Sequence, residues 1–415
     1  MATADTFDPA YERRAVILLS VGFGLVGLDR FMIIPLFPVI MKDLHLGYQE
    51  LGLITGILSI TWGLSALVAG RLSDVVGRRR TVVTATVLFS LLVGISGLAN
   101  SLVALLAVRA LMGLTDGAFT PPSITATLEA SHPRRHGLNL GIQQAMLPLF
   151  GLGLAPIIVT QLLHYVDWRW IFLLLAPPGL LVAWLLHRTL RDPSRAALAT
   201  HTATHDVGDH RWTDVFKVRN VWLNMIGMLC WLTCLIVTSA LMPSYLIDHL
   251  HLDLRSMGMV MSAIGFGAAL GTIVVPGLSD RLGRKPMMTL SSLGGVVSLI
   301  VFMQMGPEVG PLFITLFMAL FFTFGCLNLT VGPLSAESVP AALMSTATGV
   351  AICVGEVLGG GIAPVIAGAM AEAAGVASIL YLALGAMAVG FVVSFFLQET
   401  APARLAAAAQ DPAGA

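Results

Sequence analysis

Five ionisable side chains stand where the chain is otherwise hydrocarbon, and they are the residues with chemistry to offer. Asp29 and Arg30 are neighbours in the middle of an apolar run over 15–41. Arg109 and Asp116 lie seven residues apart in a run over 101–130, two turns of a helix and therefore on one face. Glu356 stands alone in a third run, over 343–372. A run of about 20 apolar residues spans a bilayer. An ionisable group inside such a run survives by facing a bundle interior or a wet cavity, usually with a partner.

Counting about 1.5 Å per residue, Asp29 and Arg30 lie roughly 21 Å into their run, and Arg109 and Asp116 roughly 12 and 22 Å into theirs from the other side. All four share one central slab. They read either as an ion-pair network tying the first run to the fourth, or as a site for an anionic substrate and protons. Small residues join helices without ion pairs, which favours the site. An aspartate that loses its arginine partner to an anion would take up a proton, and that couples two cargoes. The planar guanidinium holds a carboxylate at two points, as a lysine would not.

Glu356 reads either as a protonated acid hydrogen-bonded within its bundle or as a second proton site or contact to a polar part of the substrate. No Lys or Arg falls deep inside a run of the second half, where Arg219 only opens the seventh, so the expected cargo is a monoanion. Gln143 and Gln144 on the fifth run, and Trp231, Thr233, Thr238 and Tyr245 on the seventh, are candidates to line the cavity; each taken alone is more often a packing residue.

These groups are positioned by apolar spans. The 415 residues are 56% hydrophobic and only 11% charged, with a mean hydropathy of +0.86, against about 25% charged in a soluble domain. The chain reads as an integral membrane protein. Twelve runs follow, at 15–41, 50–70, 81–99, 101–130, 138–164, 169–188, 219–248, 256–276, 286–305, 311–336, 343–372 and 377–398. One long polar interruption divides them into a bundle over 1–188, a linker over 189–218, a second bundle over 219–398 and a tail over 399–415. If both termini are cytoplasmic, 18 Lys and Arg lie in inside segments and 3 (Lys42, Arg169, Arg255) outside, the asymmetry that sets orientation. Met1 to Tyr11 lead through Glu12-Arg13-Arg14 straight into a long span, unlike a cleaved signal peptide. The four cysteines lie in apolar runs without metal-ligand spacing. Neither a metal nor a cofactor is expected, nor a nucleic-acid partner, and no nucleotide-binding loop or catalytic motif marks an enzyme. The partners expected are a small organic anion, protons and the lipid bilayer, with the chain a monomer.

The halves repeat. Leu72-Ser73-Asp74-Val75-Val76-Gly77-Arg78-Arg79 after the second run is echoed by Leu278-Ser279-Asp280-Arg281-Leu282-Gly283-Arg284-Lys285 after the eighth, the two aspartates 206 positions apart. Glu129 at the end of the fourth run is echoed by Glu337 at the end of the tenth, 208 positions on. The glutamates are expected to pair with Arg78, Arg284 and their neighbours and, with Asp74 and Asp280, to latch the cytoplasmic gate.

Six spans plus six, a charged linker and the repeated Asp-x-x-Gly-Arg loop resemble the major facilitator superfamily of secondary transporters over essentially the whole chain. Arg109 with Gly113, and Asp167-Trp168-Arg169-Trp170 with Phe172, resemble further hallmarks of that superfamily. The resemblance implies an all-α fold of two pseudo-symmetric six-helix bundles rocking about a midplane site. Asp29-Arg30, Arg109 and Asp116 together are similar to the anion:cation symporters. By that resemblance Arg30 would hold the substrate carboxylate, Arg109 would partner the acids, and Asp29 and Asp116 would carry protons in an import cycle; the relatives commonly have Glu at the position of Asp116. The alternative is an efflux antiporter for drugs or aromatic compounds, whose fifth-span glycine and proline motif Phe150-Gly151-Leu152-Gly153-Leu154-Ala155-Pro156 matches only in part. A receptor on the same fold would need a long extra domain, which neither the linker nor the tail supplies.

Overall fold

The structure is a computed structural model that describes residues 8–132, 135–191, 212–340 and 343–401, apart from the side chains of 67, 69–75, 212 and 345. The side chain of Asp74 therefore lies outside the described residues, as do 192–211 of the linker and 402–415 of the tail.

A chain in hydrocarbon must pair every backbone N–H and C=O internally, so apolar runs without alternation become helices. Twelve rods cross the molecule among the described residues: α1 (Pro9–Leu44), α2 (Tyr48–Val76), α3 (Arg78–Ser96), α4 (Leu102–Ala130), α5 (His136–Leu162) and α6 (Trp168–Thr189), then α7 (Arg219–His249), α8 (Leu254–Leu282), α9 (Arg284–Phe302), α10 (Val309–Glu337), α11 (Thr346–Ala374) and α12 (Ser378–Phe396). All but α2 are long and apolar enough, over the described residues, to cross a membrane by those criteria alone; α2 has 29 residues and lies along α4. Asp8 caps α1 by accepting from the Ala10 and Tyr11 amides. The Tyr11 amide above all, then Arg191, holds the Asp8 carboxyl below its ordinary range.

Neighbour relations repeat helix for helix. In the first half α2 packs on α4, α3 on α4 and α6, and α1 on α5 and α6; in the second α8 packs on α10, α9 on α10 and α12, and α7 on α11 and α12. The repeated loops share one backbone shape, for Gly77 and Gly283 have φ of 104° and 103°, a region that glycine enters without strain.

Two seams join the halves, α2 against α11 and α5 against α8, and glycines bring the backbones together. A Cβ on Gly52 would lie 2.3 Å from the Pro364 carbonyl oxygen; one on Gly258 would lie 2.9 Å from that of Pro156 and 2.4 Å from Thr160 Oγ1. Gly52 and Gly258 are 206 positions apart, and Pro156 and Pro364 208, so the seams are related by the internal repeat. Ahead of each proline the helix widens into i→i+5 turns, at Leu149–Leu154 and Gly355–Ile362, because a proline has no N–H to continue the ladder. On the face away from the repeated loops, the Tyr48 hydroxyl donates to Asp248 at 2.7 Å and the Gln49 amide to Glu372 at 3.1 Å, again joining the two halves.

Candidate functional site

The site is set by a break in α1. Helical structure runs from Pro9 to Phe31 and resumes at Ile33. Pro35 lacks the N–H that would bond the Phe31 carbonyl, and its ring crowds that carbonyl. The interruption falls directly after Asp29 and Arg30.

Arg30 reaches across the seam into the other half. Its Nη1 donates to Glu356 Oε1 at 3.2 Å and its Nη2 to Glu356 Oε2 at 2.8 Å, while Nη2 also donates to Ser59 Oγ at 2.9 Å. The guanidinium stacks 4.6 Å from the Trp62 ring and 5.3 Å from that of Phe31. Arg30 is 9% exposed and Glu356 7%. Beside them is a cavity of about 10 Å³ bordered by Ile33, Ile54, Leu58, Ser59, Arg109 and Ile236, room for about one water.

Arg109 is used differently. Its Nη1 donates to the main-chain carbonyls of Asp29 at 3.0 Å and Arg30 at 3.4 Å, at the point where α1 breaks. Its guanidinium lies 6.0 Å from the Phe172 ring. Asp29, Arg109 and Asp116 are all buried, and their charges act on one another, with Arg30 acting on Asp116 as well. Yet Asp29 Oδ2, both oxygens of Asp116, and Nε and Nη2 of Arg109 have no hydrogen-bond partner. Buried polar atoms in that state are rare, and they mark a place for water, an ion or a proton. The ion-pair network read from the sequence is thus not a set of side-chain bonds: the direct charge pair is between Arg30 and Glu356.

The remaining candidates fall elsewhere. Gln143 donates to Ser123 Oγ at 3.2 Å, tying α5 to α4, and the carbonyl oxygens of Gln143 and Gln144 are buried without partners. Trp231 packs against α12, where a Cβ on Gly390 would lie 2.0 Å from its ring. Tyr245 stacks 5.1 Å from His249 and 6.0 Å from Phe302. Neither aromatic is brought to Arg30. The repeated-loop pairs join elements of one half rather than the two halves. Arg78 pairs with Glu129; Arg284 bonds Glu337 at 2.9 Å, Asp280 at 2.6 Å and Ser279 at 2.6 Å.

Sequence reasoning missed Ser59 and Trp62. Their three-residue spacing puts them on one helix face, but α2 alone carries no sign that this face meets Arg30. It also passed over Glu12, which is 3% exposed and accepts from the His132 amide, Arg135 and Asn139. An acid heading an apolar span was the available signal.

A buried ion pair at the seam of two repeated six-helix bundles, with unpartnered acids beside it, defines a secondary transporter rather than an enzyme. Residues 19–360 match the model of the Major Facilitator Superfamily, and the chain belongs to it. It is 30% identical over 330 residues to the 3-(3-hydroxy-phenyl)propionate transporter of Escherichia coli (strain K12), covering 76% of this chain and 75% of that one. It is 26% identical over 289 residues to the hexuronate transporter of Bacillus subtilis (strain 168), covering 67% and 68%. In fold it is similar to a bacterial homologue of the human lysosomal transporter Spinster, solved inward-facing and unoccupied, with a TM-score of 0.76 at 16% identity over 94% of this chain and 98% of that one.

Proposed function

We propose that this protein imports a small organic monoanion, a carboxylate with an apolar or aromatic body, together with protons by alternating access. The observation that carries this reading is the two-point seat for a carboxylate on Arg30, walled by Phe31, Ile33, Ile54, Trp62 and Ile236. Such a fork binds a planar carboxylate tightly and directionally. Hydrocarbon walls favour an aromatic or aliphatic acid over a sugar acid, for whose several hydroxyls the lining offers Thr55, Ser59 and Arg109 beside Arg30. The relatives named for a phenylpropionate and a hexuronate are both named for organic acids, and the lining favours the first kind of cargo.

In this reading Arg30 holds the carboxylate, Arg109 fixes the broken turn of α1, and Asp29, Asp116 and Glu356 are the acids that carry protons. Gln143 and Gln144 keep a place near the path; Trp231 and Tyr245 do not. The molecule works as a monomer in the bacterial inner membrane, with the termini and repeated loops cytoplasmic. The moving bodies are 1–188 and 219–398, joined by 189–218, with 399–415 as a tail.

The test is uptake into proteoliposomes of radiolabelled benzoate, 3-phenylpropionate, glucuronate and succinate, with and without an inward proton gradient. Accumulation of the aromatic monoacids only when the gradient is imposed is expected. An inward gradient that instead expels preloaded acid would mark the efflux antiporter, and preference for glucuronate would overturn the apolar cargo.

A further inference from the structure

We propose that Glu356 is an internal occupant of the anion seat: its carboxylate fills the place on Arg30 that the cargo takes, and loading exchanges one carboxylate for the other while Glu356 takes up a proton. The inference rests on the carboxylate reading above and assigns one acid its part in it.

Glu356 meets Arg30 through both oxygens, at 3.2 and 2.8 Å, the fork geometry a ligand carboxylate would use. The space beside the pair, about 10 Å³, holds about one water and no organic acid. Glu356 and a cargo on Arg30 therefore exclude each other. Glu356 is carried by α11 and Arg30 by α1, so the pair also holds the two halves together, and a cargo that displaces Glu356 unfastens them.

The segment bearing Glu356 is built to let go. It lies in the widened turns of Gly355–Ile362, among Gly359, Gly360 and Gly361. A Cβ on Gly360 would lie 3.0 Å from both Glu356 Oε2 and Ser59 Oγ, and one on Gly359 2.7 Å from the Leu229 carbonyl oxygen, so this turn passes close to α2 and α7 because it has no side chains there.

Once displaced, a charged Glu356 has no second cation. Among the described residues Arg30 faces it from α1, Ser59 from α2, Met228, Leu229 and Thr233 line the same turn from α7, and Cys353 lies beside it on α11. An unpaired carboxylate in such a place is strongly disfavoured, so it takes a proton from solvent onto one carboxylate oxygen. Arg30 then has the cargo as its counter-ion, Glu356 is neutral, and the charge of the seam is unchanged: one anion and one proton have entered together.

Binding of benzoate and 3-phenylpropionate to the purified full-length protein is measured by calorimetry at pH 8 in buffers of different ionisation enthalpy, which gives affinity and proton uptake together. Glu356→Gln is expected to bind at least tenfold more tightly than the parent and to take up about one proton fewer per acid bound. Glu356→Asp, too short to span the seam and so unpaired and protonated before any acid binds, is expected to bind more tightly and to take up less of the proton than the parent, and it keeps the test alive if the glutamine variant does not fold. Unchanged or weaker binding in both variants, or the same proton uptake in Glu356→Gln as in the parent, overturns the exchange. Arg30→Lys is the control for the underlying reading. If it weakens binding in parent and variant alike, the carboxylate seat stands whatever Glu356 does; if neither acid binds with any dependence on Arg30, the seat itself is refuted and the exchange with it.

Discussion

Arginines 30 and 109 are both buried in the middle of the bundle, but their partners differ in kind. Arg30 spends its fork on a side-chain carboxylate from the other half. Arg109 spends part of its own on main-chain carbonyls at the interruption of α1. Among the described residues no protein group bonds the carboxylate oxygens of Asp116. Asn at that position mimics the permanently protonated acid. Asp116→Asn is expected to lose proton-driven accumulation while retaining exchange of internal for external substrate, which needs no net proton movement. Uptake and counterflow measured side by side decide it: loss of both in a folded protein would make Asp116 structural.

Among the elements, prolines and glycines do what charged residues cannot. Pro35 interrupts α1 beside Arg30, Pro156 and Pro364 widen the helices of the two seams, and the glycines opposite let backbones touch. Gly265 is the tightest of these, since a Cβ there would lie 1.8 Å from the Gly153 backbone nitrogen. Backbone cannot yield as a side-chain tip can. Gly265→Ala is expected to destabilise this packing by about 1–3 kcal/mol, the ordinary range for overpacking, seen as a lower melting temperature in detergent. Affinity for the carboxylate at Arg30, on the other seam, is expected to stay within about twofold. An unchanged melting temperature would show that the α5 and α8 seam opens freely.

At the scale of the whole molecule, each half is braced at the loop-bearing face by its own charges. Arg284 ties the loop after α8 to Glu337 at the end of α10, and Glu399 accepts from the Arg284 amide at 2.8 Å; Arg78 and Glu129 are the counterpart in the first half. Among the described residues the contacts that bridge the halves include the two glycine seams, the Arg30–Glu356 pair, and Tyr48 with Asp248 and Gln49 with Glu372 on the far face. Bodies that move rigidly against each other need bracing within and releasable contacts between. Glu337→Gln is expected to slow turnover severalfold with the binding affinity unchanged, measured as transport rate against equilibrium binding. An affinity loss as large as that of Arg30→Lys would place the pair in the binding site instead.

The class of molecule is legible in composition and periodicity alone. Apolar runs of bilayer length dictate helices, because hydrocarbon leaves the backbone no other partners. The echo of Asp74 through Arg79 in Asp280 through Lys285 exposes the duplication, since a repeated loop with an essential glycine repeats its shape. Helical spacing was also enough to place Arg109 and Asp116 on one face. Partnership, by contrast, is fixed by how the helices assemble. Arg30 and Glu356 are 326 positions apart and meet because α2 and α11 close the seam over α1. No local pattern encodes that distance, and the nearer candidate Asp29 was passed over. Ser59 and Trp62 meet Arg30 for the same reason. Trp231 and Tyr245, polar-tipped aromatics on an inner helix, meet Gly390 and Phe302, because the neighbours of a helix face are fixed by how the helices cross rather than by what the face displays.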